Sequence, residues 1–443
     1  MVYGIMKKNT ITDNPWTPED EREHPLSVIE WWYIEAFFKS IEDNKRWSIK
    51  SGFNEWLYPK SKEIGCIFNM TLFEQDKNKH LIYYSRNDST KLKSDKDNYY
   101  VRYEDSFMKG SYPCYEFYFN DKKNNIKLDM RYQAEVLPHW LMQDVTDGKL
   151  PMGMGLYRYG FIPKCKISGT MIRNNTTYHI DGKGYFEHVW GDFWYDNPLS
   201  NFSGLKKTIP TYSKLIGWWL HNNKIRIPKS IMFATENNPL GYDWAWALLD
   251  NGWTIFYGNI MFWIMEGPAP GVLILLKDGN KYEEFGNIYF KYNKTRHSKE
   301  YDFYYPEEME VTAQRRKEKL HLRFTMTTDS REHIVRFLGG KHWLGYVICE
   351  APGTVDGTYF DGEKKIKLSG ICKIEPQRQA SVIGHNSLKI DILKPPSGVG
   401  ISFDLDSHFF RKKIFTQIQL VPHPKIKFNL KKINNSNIDK KIK

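Results

Sequence analysis

Short apolar runs with alternating polar residues follow one another along most of the chain. Between residues 28 and 58, VIEWWYIEAFFKS and WSIKSGFNEWLY flank the polar turn IEDNKR, which is the pattern of a β-hairpin. Similar pairs recur in CIFNMTLFEQDKNKHLIYYSR and YDWAWALLDNGWTIFYGNIMFW. Sustained 3.6-residue periodicity is almost absent. The sequence therefore predicts an all-β protein built from antiparallel barrels or sandwiches.

Two segments, one in each half of the chain, resemble each other. ISGTMIRNNTTYHIDGKGYFE, which starts at residue 167, aligns without gaps on VDGTYFDGEKKIKLSGICKIE, which starts at residue 355. The coinciding residues include Gly182 with Gly370 and Glu187 with Glu375. A repeat of this kind predicts two similarly folded domains packed together.

Changes in composition along the chain indicate the boundaries of these domains. We predict an N-terminal extension over residues 1–27, a first β domain over 28–200, a linker over 201–230, a second β domain over 231–425 and a basic tail over 426–443. The linker is basic and contains the apolar patch LIGWWL, and we expect a short helix over residues 212–221. The tail is expected to be solvated or disordered.

The charge and composition of the chain exclude some classes of binding partner. The net charge is +12, but no nucleic-acid-binding motif accompanies it, so we predict no nucleic-acid partner and a generic basic surface. A weak attraction to anionic lipid headgroups remains an alternative. The chain has no apolar run of membrane-spanning length and no apolar leader at its N-terminus. We expect a cytoplasmic protein, either free or peripheral to a membrane.

Neither a metal nor an organic cofactor is expected. The five cysteines show no zinc-ligand spacing, and no histidine pair of the HExxH kind replaces them. Aromatic residues make up 16% of the chain, which suits strands and also provides the material to line a large apolar pocket.

The stretch GYFEHVWGDFWYDNP, residues 184–198, has the densest candidate chemistry. On a strand, Phe186, His188 and Trp190 share one face, and Glu187 lies on the other. In the second copy of the repeat the glutamate is followed by PQRQASV instead of HVWGDFW. Because the second domain does without this motif, we expect a functional role for His188 and Trp190 and a structural role for Glu187.

Two further stretches combine aromatic and acidic residues. In GYDWAW, Tyr242, Trp244 and Trp246 share a face, Asp243 falls on the other, and Tyr257 follows across the turn. The second stretch is EWWY, residues 30–33, which is more in keeping with a structural strand than with catalysis.

The early EWWY and the later GYFEHVWG, in this order, resemble the carotenoid 1,2-hydratases (hydroxyneurosporene synthases) and AttH-like proteins. Plant tocopherol cyclases and fungal lipocalin-like Diels–Alderases are more distant neighbours. The resemblance implies two lipocalin-like β domains and an apolar cavity for an isoprenoid or other lipid. It also implies chemistry in which a protonated carbon–carbon double bond becomes a carbocation that water captures.

Site residues follow from the same resemblance. His188 and Trp190 match the family's histidine and tryptophan, the tryptophan face stabilising cationic character. The family also uses a tyrosine and an aspartate, for which Tyr257 and Asp243 are the candidates, since Asn259 stands two residues after Tyr257 where the family has aspartate. The residues expected to contact the ligand are Trp32, Tyr33, Phe186, Tyr242, Trp244 and Trp246.

The sequence thus predicts a protein that binds a hydrophobic small molecule and catalyses its proton-initiated hydration, as a lyase, or its cyclisation, as an isomerase. Two alternatives stay open. One is a non-catalytic lipid carrier or chaperone, and the other is a cyclase of the Diels–Alder kind that acts through the shape of its cavity.

Overall fold

The structure is a computed structural model of the 443-residue chain. It describes residues 15–25, 27–57, 63–152, 155–192, 205–222, 241–261, 267–268, 271–298, 303–328, 331–335, 345–380, 388–392, 399–407, 412–420 and 427–433. These residues fall into two compact units, each described below by itself. Unit 1 comprises the described residues up to 192 with 205–217 and 275–283, and unit 2 comprises 218–222, 241–274 and those from 284 onward.

Unit 1 is built around one large antiparallel sheet. Its strands are β1 (Ile29–Ser40), β2 (Arg46–Leu57), β3 (Ile64–Glu74), β4 (Lys79–Arg86), β5 (Leu92–Ser94), β6 (Tyr99–Tyr103), β7 (Ser106–Ser111), β8 (Cys114–Asp121), β9 (Ile126–Ala134), β10 (His139–Trp140), β11 (Lys149–Met152), β12 (Gly155–Arg173) and β13 (Thr176–Gly191). They are ordered β4-β3-β2-β1-β13-β12-β9-β8-β7-β6-β5, and β10 and β11 pair with β12. Short helices α1 (Pro18–Glu21) and α2 (Gln143–Thr146) and a 3₁₀ turn (Gln75–Lys77) complete it.

The core of unit 1 forms on one face of this sheet. Because side chains alternate along a strand, Trp32, Ile34 and Phe38 of β1 point to the same side, and Phe186 of β13 joins them. Aromatic rings pack directly against one another there. Phe186, for example, stacks on Tyr115 with 4.0 Å between ring centroids. The aromatic residues of this face therefore supply much of the hydrophobic core.

A second antiparallel sheet continues the chain after helix α3 (Leu205–Asn222). Its strands are β14 (Gly241–Leu249), β15 (Thr254–Met261), β16 (Gly267–Pro268), β17 (Gly271–Leu276), β18 (Tyr282–Phe285), β19 (Asn287–Ser298), β20 (Phe303–Arg315), β21 (Glu318–Met326), β22 (Arg331–Val335), β23 (Gly345–Phe360) and β24 (Lys365–Ala380). They are ordered β16-β19-β20-β21-β23-β24-β14-β15-β17-β18, and β22 pairs with β23. Both large sheets are curled, and the prediction of an all-β protein with two lipocalin-like domains is confirmed.

A third, four-stranded sheet lies at the C-terminal end of the chain. Its strands are β25 (Leu388–Ile392), β26 (Val399–Ser407), β27 (Lys412–Leu420) and β28 (Lys427–Ile433), paired in that order. Strand β28 falls within the tail that was expected to be solvated or disordered. Its sequence KFNLKKI places Phe428 and Leu430 two residues apart, which is the alternation of a strand.

The expected linker contains one long helix. The predicted helix over residues 212–221 lies within α3, which begins earlier, at Leu205, in spite of Pro210 inside it. None of the helices in the described part of the chain has the length and apolar character needed to cross a bilayer.

The two copies of the sequence repeat form equivalent hairpins. β12 pairs with β13 so that position 167 faces Gly182, and β23 pairs with β24 so that position 355 faces Gly370. A Cβ atom on Gly182 would overlap the carbonyl oxygen of Phe37, and one on Gly370 would overlap that of Leu248. The repeat therefore keeps glycine where a neighbouring strand, β1 or β14, approaches too closely for any side chain.

We predict that Gly182→Ala and Gly370→Ala each lower the free energy of unfolding by roughly 1–3 kcal/mol, because the strands must move apart to admit a methyl group. Urea unfolding measures this. The matched control is Gly217→Ala in α3, where no atom lies within 4 Å of the added Cβ, and it should be neutral or stabilising by up to about 1 kcal/mol. Wild-type stability of both strand variants would contradict this account of the repeat.

Candidate functional site

The predicted His188–Trp190 face lies at the junction of β1 and β13. These strands pair so that Glu30 faces Trp190 and Trp32 faces His188. All four side chains point to the core side of the sheet, and His188 is completely buried. The structure buries both this face and the Glu187 face.

The N-terminal segment completes this site. Thr17 begins α1, and both its backbone N–H and its hydroxyl donate to the Asp20 carboxylate, at 2.8 and 2.9 Å. Trp16 packs on Trp140 with ring centroids 5.5 Å apart. Together these contacts fix the path of the chain toward His24, so the segment expected to be a mere extension contributes to the site.

Glu30 is the centre of a hydrogen-bonded network. Its Oε1 atom lies 2.8 Å from Nε2 of His188 and 2.9 Å from Nδ1 of His24. Its Oε2 atom accepts the backbone N–H of His24 at 2.9 Å. Glu30 is only 2% exposed, and these three contacts compensate the cost of burying its charge.

The protonation of this network follows from its geometry. Nδ1 of His188 lies 3.0 Å from the carbonyl oxygen of Asp20, which can only accept, so Nδ1 carries a hydrogen. Burial alone would raise the pKa of Glu30, but hydrogen bonds from His188 and His24 and their charges outweigh it and lower that pKa. Nε2 of His188 and Oε1 of Glu30 are 2.8 Å apart, which requires one hydrogen between these two acceptor atoms.

The hydrogen between Glu30 and His188 is shared by the two groups. Burial lowers the pKa of His188, and the hydrogen bond to Glu30 and its negative charge oppose this effect. A buried imidazolium has lost the water that would stabilise it, so it depends on Glu30 for its charge. The pair consequently holds one transferable proton inside the sheet.

Aromatic rings enclose both histidines. His24 stacks on Trp190 with 3.7 Å between centroids and 7° between planes. His188 lies against Trp32 at 5.4 Å and 17°. His24 covers one face of Trp190 and the Arg158 guanidinium lies 6.0 Å from the ring centroid, so a further cation would have to meet the part of the ring that these groups leave open.

An open cavity of about 820 Å³ adjoins this network. His24 and Trp190 form part of its wall, so of the three networked groups His24 is the one that meets its contents. Nine of the sixteen residues that line it are Asp, Glu, Lys or Arg. Leu156, Tyr157 and Trp190 also line it, so the wall combines charged groups with apolar and aromatic surface.

Arg158 connects the cavity wall to the N-terminal segment. Its guanidinium lies 3.7 Å from the ring centroid of Trp140 and forms an ion pair with Asp20 at 2.6 Å. Trp140 in turn contacts the edge of Trp190 at 5.7 Å and 80°. These contacts hold the indole of Trp190 in place beside His24.

Glu55 adds a second protonated group. It lies on β2 directly opposite Glu30, on the same side of the sheet. Burial, with the negative charges of Glu30 and Glu23, raises the pKa of Glu55 to about 8. At neutral pH Glu55 is thus a carboxylic acid next to an ionised carboxylate.

Glu187 occupies the opposite face, as alternation along the strand predicts. Its presence in both copies of the repeat suggests a structural role. It accepts hydrogen bonds from Trp31 at 2.7 Å, from Tyr185 at 2.6 Å and from Tyr159. Its counterpart Glu375 in unit 2 is likewise buried and accepts from Tyr242 at 2.8 Å. Both glutamates tie neighbouring strands together.

The other predicted catalytic residues belong to unit 2. Asp243 on β14 faces Asn259 on β15, whose side-chain oxygen accepts the Asp243 N–H at 3.0 Å. Tyr292 donates to the Asp243 carboxylate. Tyr257 lies two residues before Asn259 and shares its face. The structure therefore brings Asp243 and Tyr257 to one side of one sheet, while His188 and Trp190 belong to unit 1.

The expected ligand-contacting residues have several locations. Trp32 and Phe186 lie on the core side of unit 1, and Tyr33 lies on the opposite side, where it donates to Glu35. In unit 2, Trp246 is fully buried, and Tyr242 and Trp244 share the face of Glu375. Trp32, through its contact with His188, is the member of this set closest to the network.

The same three side chains are the group that could hold a metal ion among the residues the structure describes. One ligand atom from each of His24, Glu30 and His188 lies within 4.8 Å of the others. Tetrahedral zinc with bonds of about 2.1 Å holds its ligand atoms roughly 3.4 Å apart, whereas Nε2 of His188 and Oε1 of Glu30 are 2.8 Å apart. The observed arrangement is that of directly hydrogen-bonded groups.

Sequence reasoning did not single out His24 or Glu55, and it took Glu30 as a structural strand residue. The signal for the N-terminal segment was present in TPED, residues 17–20, where a threonine, a proline and an aspartate stand in the order that starts a helix. Glu55 has no such signal, since its pKa depends on its burial in the folded sheet and on the charges placed beside it.

Solved structures of low sequence identity share this fold. An AttH-like protein from Nitrosomonas europaea matches with a TM-score of 0.55 and 15% identity, covering 83% of this chain and 98% of the other. Kievitone hydratase from Nectria haematococca matches with a TM-score of 0.54 and 12% identity, covering 84% and 96%. No family model matches the chain, and no curated protein matches its sequence. The expected AttH-like architecture is confirmed at the level of the fold.

We predict that Glu55→Gln changes the pH dependence of stability. The pKa of Glu55 is about 8 in the folded protein and about 4.3 in the unfolded chain. Protonation of Glu55 therefore contributes fully to the free energy of unfolding below about pH 4.3, and this contribution is lost as the pH rises to about 8. From about pH 6 to about pH 9, the free energy of unfolding of the wild type should fall by about 1–2 kcal/mol more than that of the variant. Urea unfolding at both pH values measures this, and identical losses would show that Glu55 is already ionised at neutral pH.

Proposed function

We propose that the protein is a hydratase or cyclase that protonates a carbon–carbon double bond of an isoprenoid or similar lipid. The observation that carries the proposal is the buried Glu30–His188 pair, hydrogen-bonded to a histidine, His24, in the wall of a cavity beside Trp190. The shared fold with kievitone hydratase, by its name a hydratase, supports the same class of reaction.

His24 is the group we assign to proton exchange with the substrate. Glu30 accepts from its Nδ1 atom, which directs the exchange to Nε2. The Nε2–H bond breaks as its proton adds to one carbon of the double bond, and the other carbon becomes cationic. Water then adds its oxygen to that carbon and returns a proton to Nε2, so the net change is the addition of one water.

Glu30 and His188 act through His24 as positioning residues in this proposal. Glu30 fixes His24 through both its carboxylate oxygens, Oε1 holding the ring and Oε2 the backbone N–H. His188, itself fixed by the Asp20 carbonyl, supplies the proton that balances the charge of Glu30. Trp190 stacks on His24 and offers its face to the cationic carbon.

The charged residues around the opening of the cavity indicate which kind of substrate would fit. A molecule bound there would meet charged side chains as well as the His24–Trp190 stack. An isoprenoid that carries a polar group fits both kinds of surface, because the polar group can remain solvated among the charges. The chemistry requires only a proton donor and water, and it calls on no organic cofactor.

The protonatable residues beside the cavity also distinguish an enzyme from a non-catalytic carrier. A non-catalytic carrier needs no protonatable residue beside its cavity, whereas His24, Glu30, His188 and Glu55 cluster here. This favours an enzyme. In a cyclase, an internal nucleophile of the substrate takes the place of water. We keep Asp243 and Tyr257 as proposed catalytic residues of unit 2, on the strength of their shared face.

The test uses isoprenoids and prenylated phenols with a trisubstituted double bond, incubated with the purified protein in heavy-oxygen water. Mass spectrometry distinguishes hydration, which adds one labelled water, from cyclisation, which leaves the mass unchanged and shifts the retention time. His24→Gln, which removes the proton donor, should lower kcat roughly 10²–10⁴-fold.

The matched control is His179→Gln. His179 also pairs with a glutamate, Glu42, at 2.6 Å, but this pair is exposed. Activity of the control should remain at the wild-type level. Wild-type turnover by both His24→Gln and His188→Ala, with folding verified by circular dichroism, would overturn the assignment. A lipid that co-purifies in native mass spectrometry without any turnover would instead identify a carrier.

Trp190→Phe tests the aromatic wall separately. Phenylalanine keeps a ring that stacks on His24 but has a weaker attraction for a cation. Turnover should fall roughly 3- to 30-fold, which corresponds to the range of cation–π energies, and the free energy of unfolding should change little. An unchanged kcat would remove Trp190 from the proposed machinery.

A further inference from the structure

Helix α3 carries charge of one sign. Its sequence, LKKTIPTYSKLIGWWLHN, contains three lysines and no acidic residue over eighteen positions. Lys206, Lys207, Lys214 and His221 are all exposed. The helix is therefore a locally basic surface.

The same helix exposes large apolar side chains. Ile209, Ile216 and Leu220 are 52%, 52% and 46% exposed. They account for three of the eight large apolar side chains that are strongly exposed in the described part of the chain. Such side chains are unremarkable when scattered, but their concentration on one helix indicates a contact surface.

The two kinds of residue form adjacent strips. At about 100° per residue, the three apolar positions fall within roughly 40° of one another around the helix axis. Lys206, Lys207, Lys214 and His221 follow in the next part of the exposed arc. Thr208 and Thr211, which are buried, lie on the opposite side.

We propose that α3 binds an anionic lipid surface. The helix would lie in the plane of the interface, with Ile209, Ile216 and Leu220 between the lipid headgroups and the lysines at the phosphates. A strip of apolar side chains next to a basic strip is the arrangement of interfacial helices. The lysines alone would suit any polyanion, and the apolar strip is what selects a lipid surface.

Vesicle flotation tests this with the full chain. Wild-type protein should bind vesicles of phosphatidylcholine mixed with phosphatidylglycerol and bind phosphatidylcholine alone much more weakly, and added salt should reduce the difference. Lys206→Glu and Lys214→Glu should each weaken binding to the mixed vesicles roughly five-fold. Ile216→Ser should weaken it roughly ten-fold.

Matched controls lie elsewhere on the surface. Ile41 is 61% exposed, and Ile41→Ser should bind as the wild type does, as should Lys123→Glu in the turn between β8 and β9. Thermal unfolding checks that all variants remain folded, which is expected because every substituted side chain is exposed. Equal binding by the α3 variants and the wild type, or equal losses in variants and controls, would overturn the proposal. So would capture of a protein partner by α3 without any vesicle binding.

Discussion

The Glu30 carboxylate is the interaction on which the site depends. It is nearly inaccessible to solvent, so its charge is tolerated only because His188, His24 and a backbone N–H all donate to it. These donors come from β13 and from the N-terminal segment, and the carboxylate comes from β1. One buried charge thereby ties together three parts of unit 1 and holds a proton next to a cavity.

A comparison of the two copies of the repeat distinguishes residues that the fold requires from residues of the candidate site. Both hairpins retain the glycine at which strands approach closely and the glutamate that joins strands. At the position of His188, however, the second copy has Pro376, which faces Asp243. A proline has no side-chain donor or acceptor, so unit 2 cannot form the same network there. The equivalent hairpin of unit 2 forms without a histidine at this position.

Much of the fold could be predicted from period-two alternation, because that pattern directly reflects which face of a strand is buried. The pairing of His188 with Trp190 on one face followed from the same rule. The network could not be predicted, since His24 reaches Glu30 through the path of an irregular segment and the raised pKa of Glu55 comes from its burial and from the charges of Glu30 and Glu23. The charged residues in the cavity wall were not predicted either, because a high aromatic content does not reveal which other residues surround a pocket.

The central claim is that Glu30 and His188 hold a buried proton between them, and that Glu30 thereby positions His24 beside the cavity. Nitrogen NMR of histidine-labelled protein over the neutral pH range observes this directly. The account predicts that Nδ1 of His188 carries a hydrogen throughout, as its contact with the Asp20 carbonyl requires, and that the Nε2 resonance responds strongly to Glu30→Gln. A His188 ring with a hydrogen on Nε2 alone, insensitive to that substitution, would contradict it.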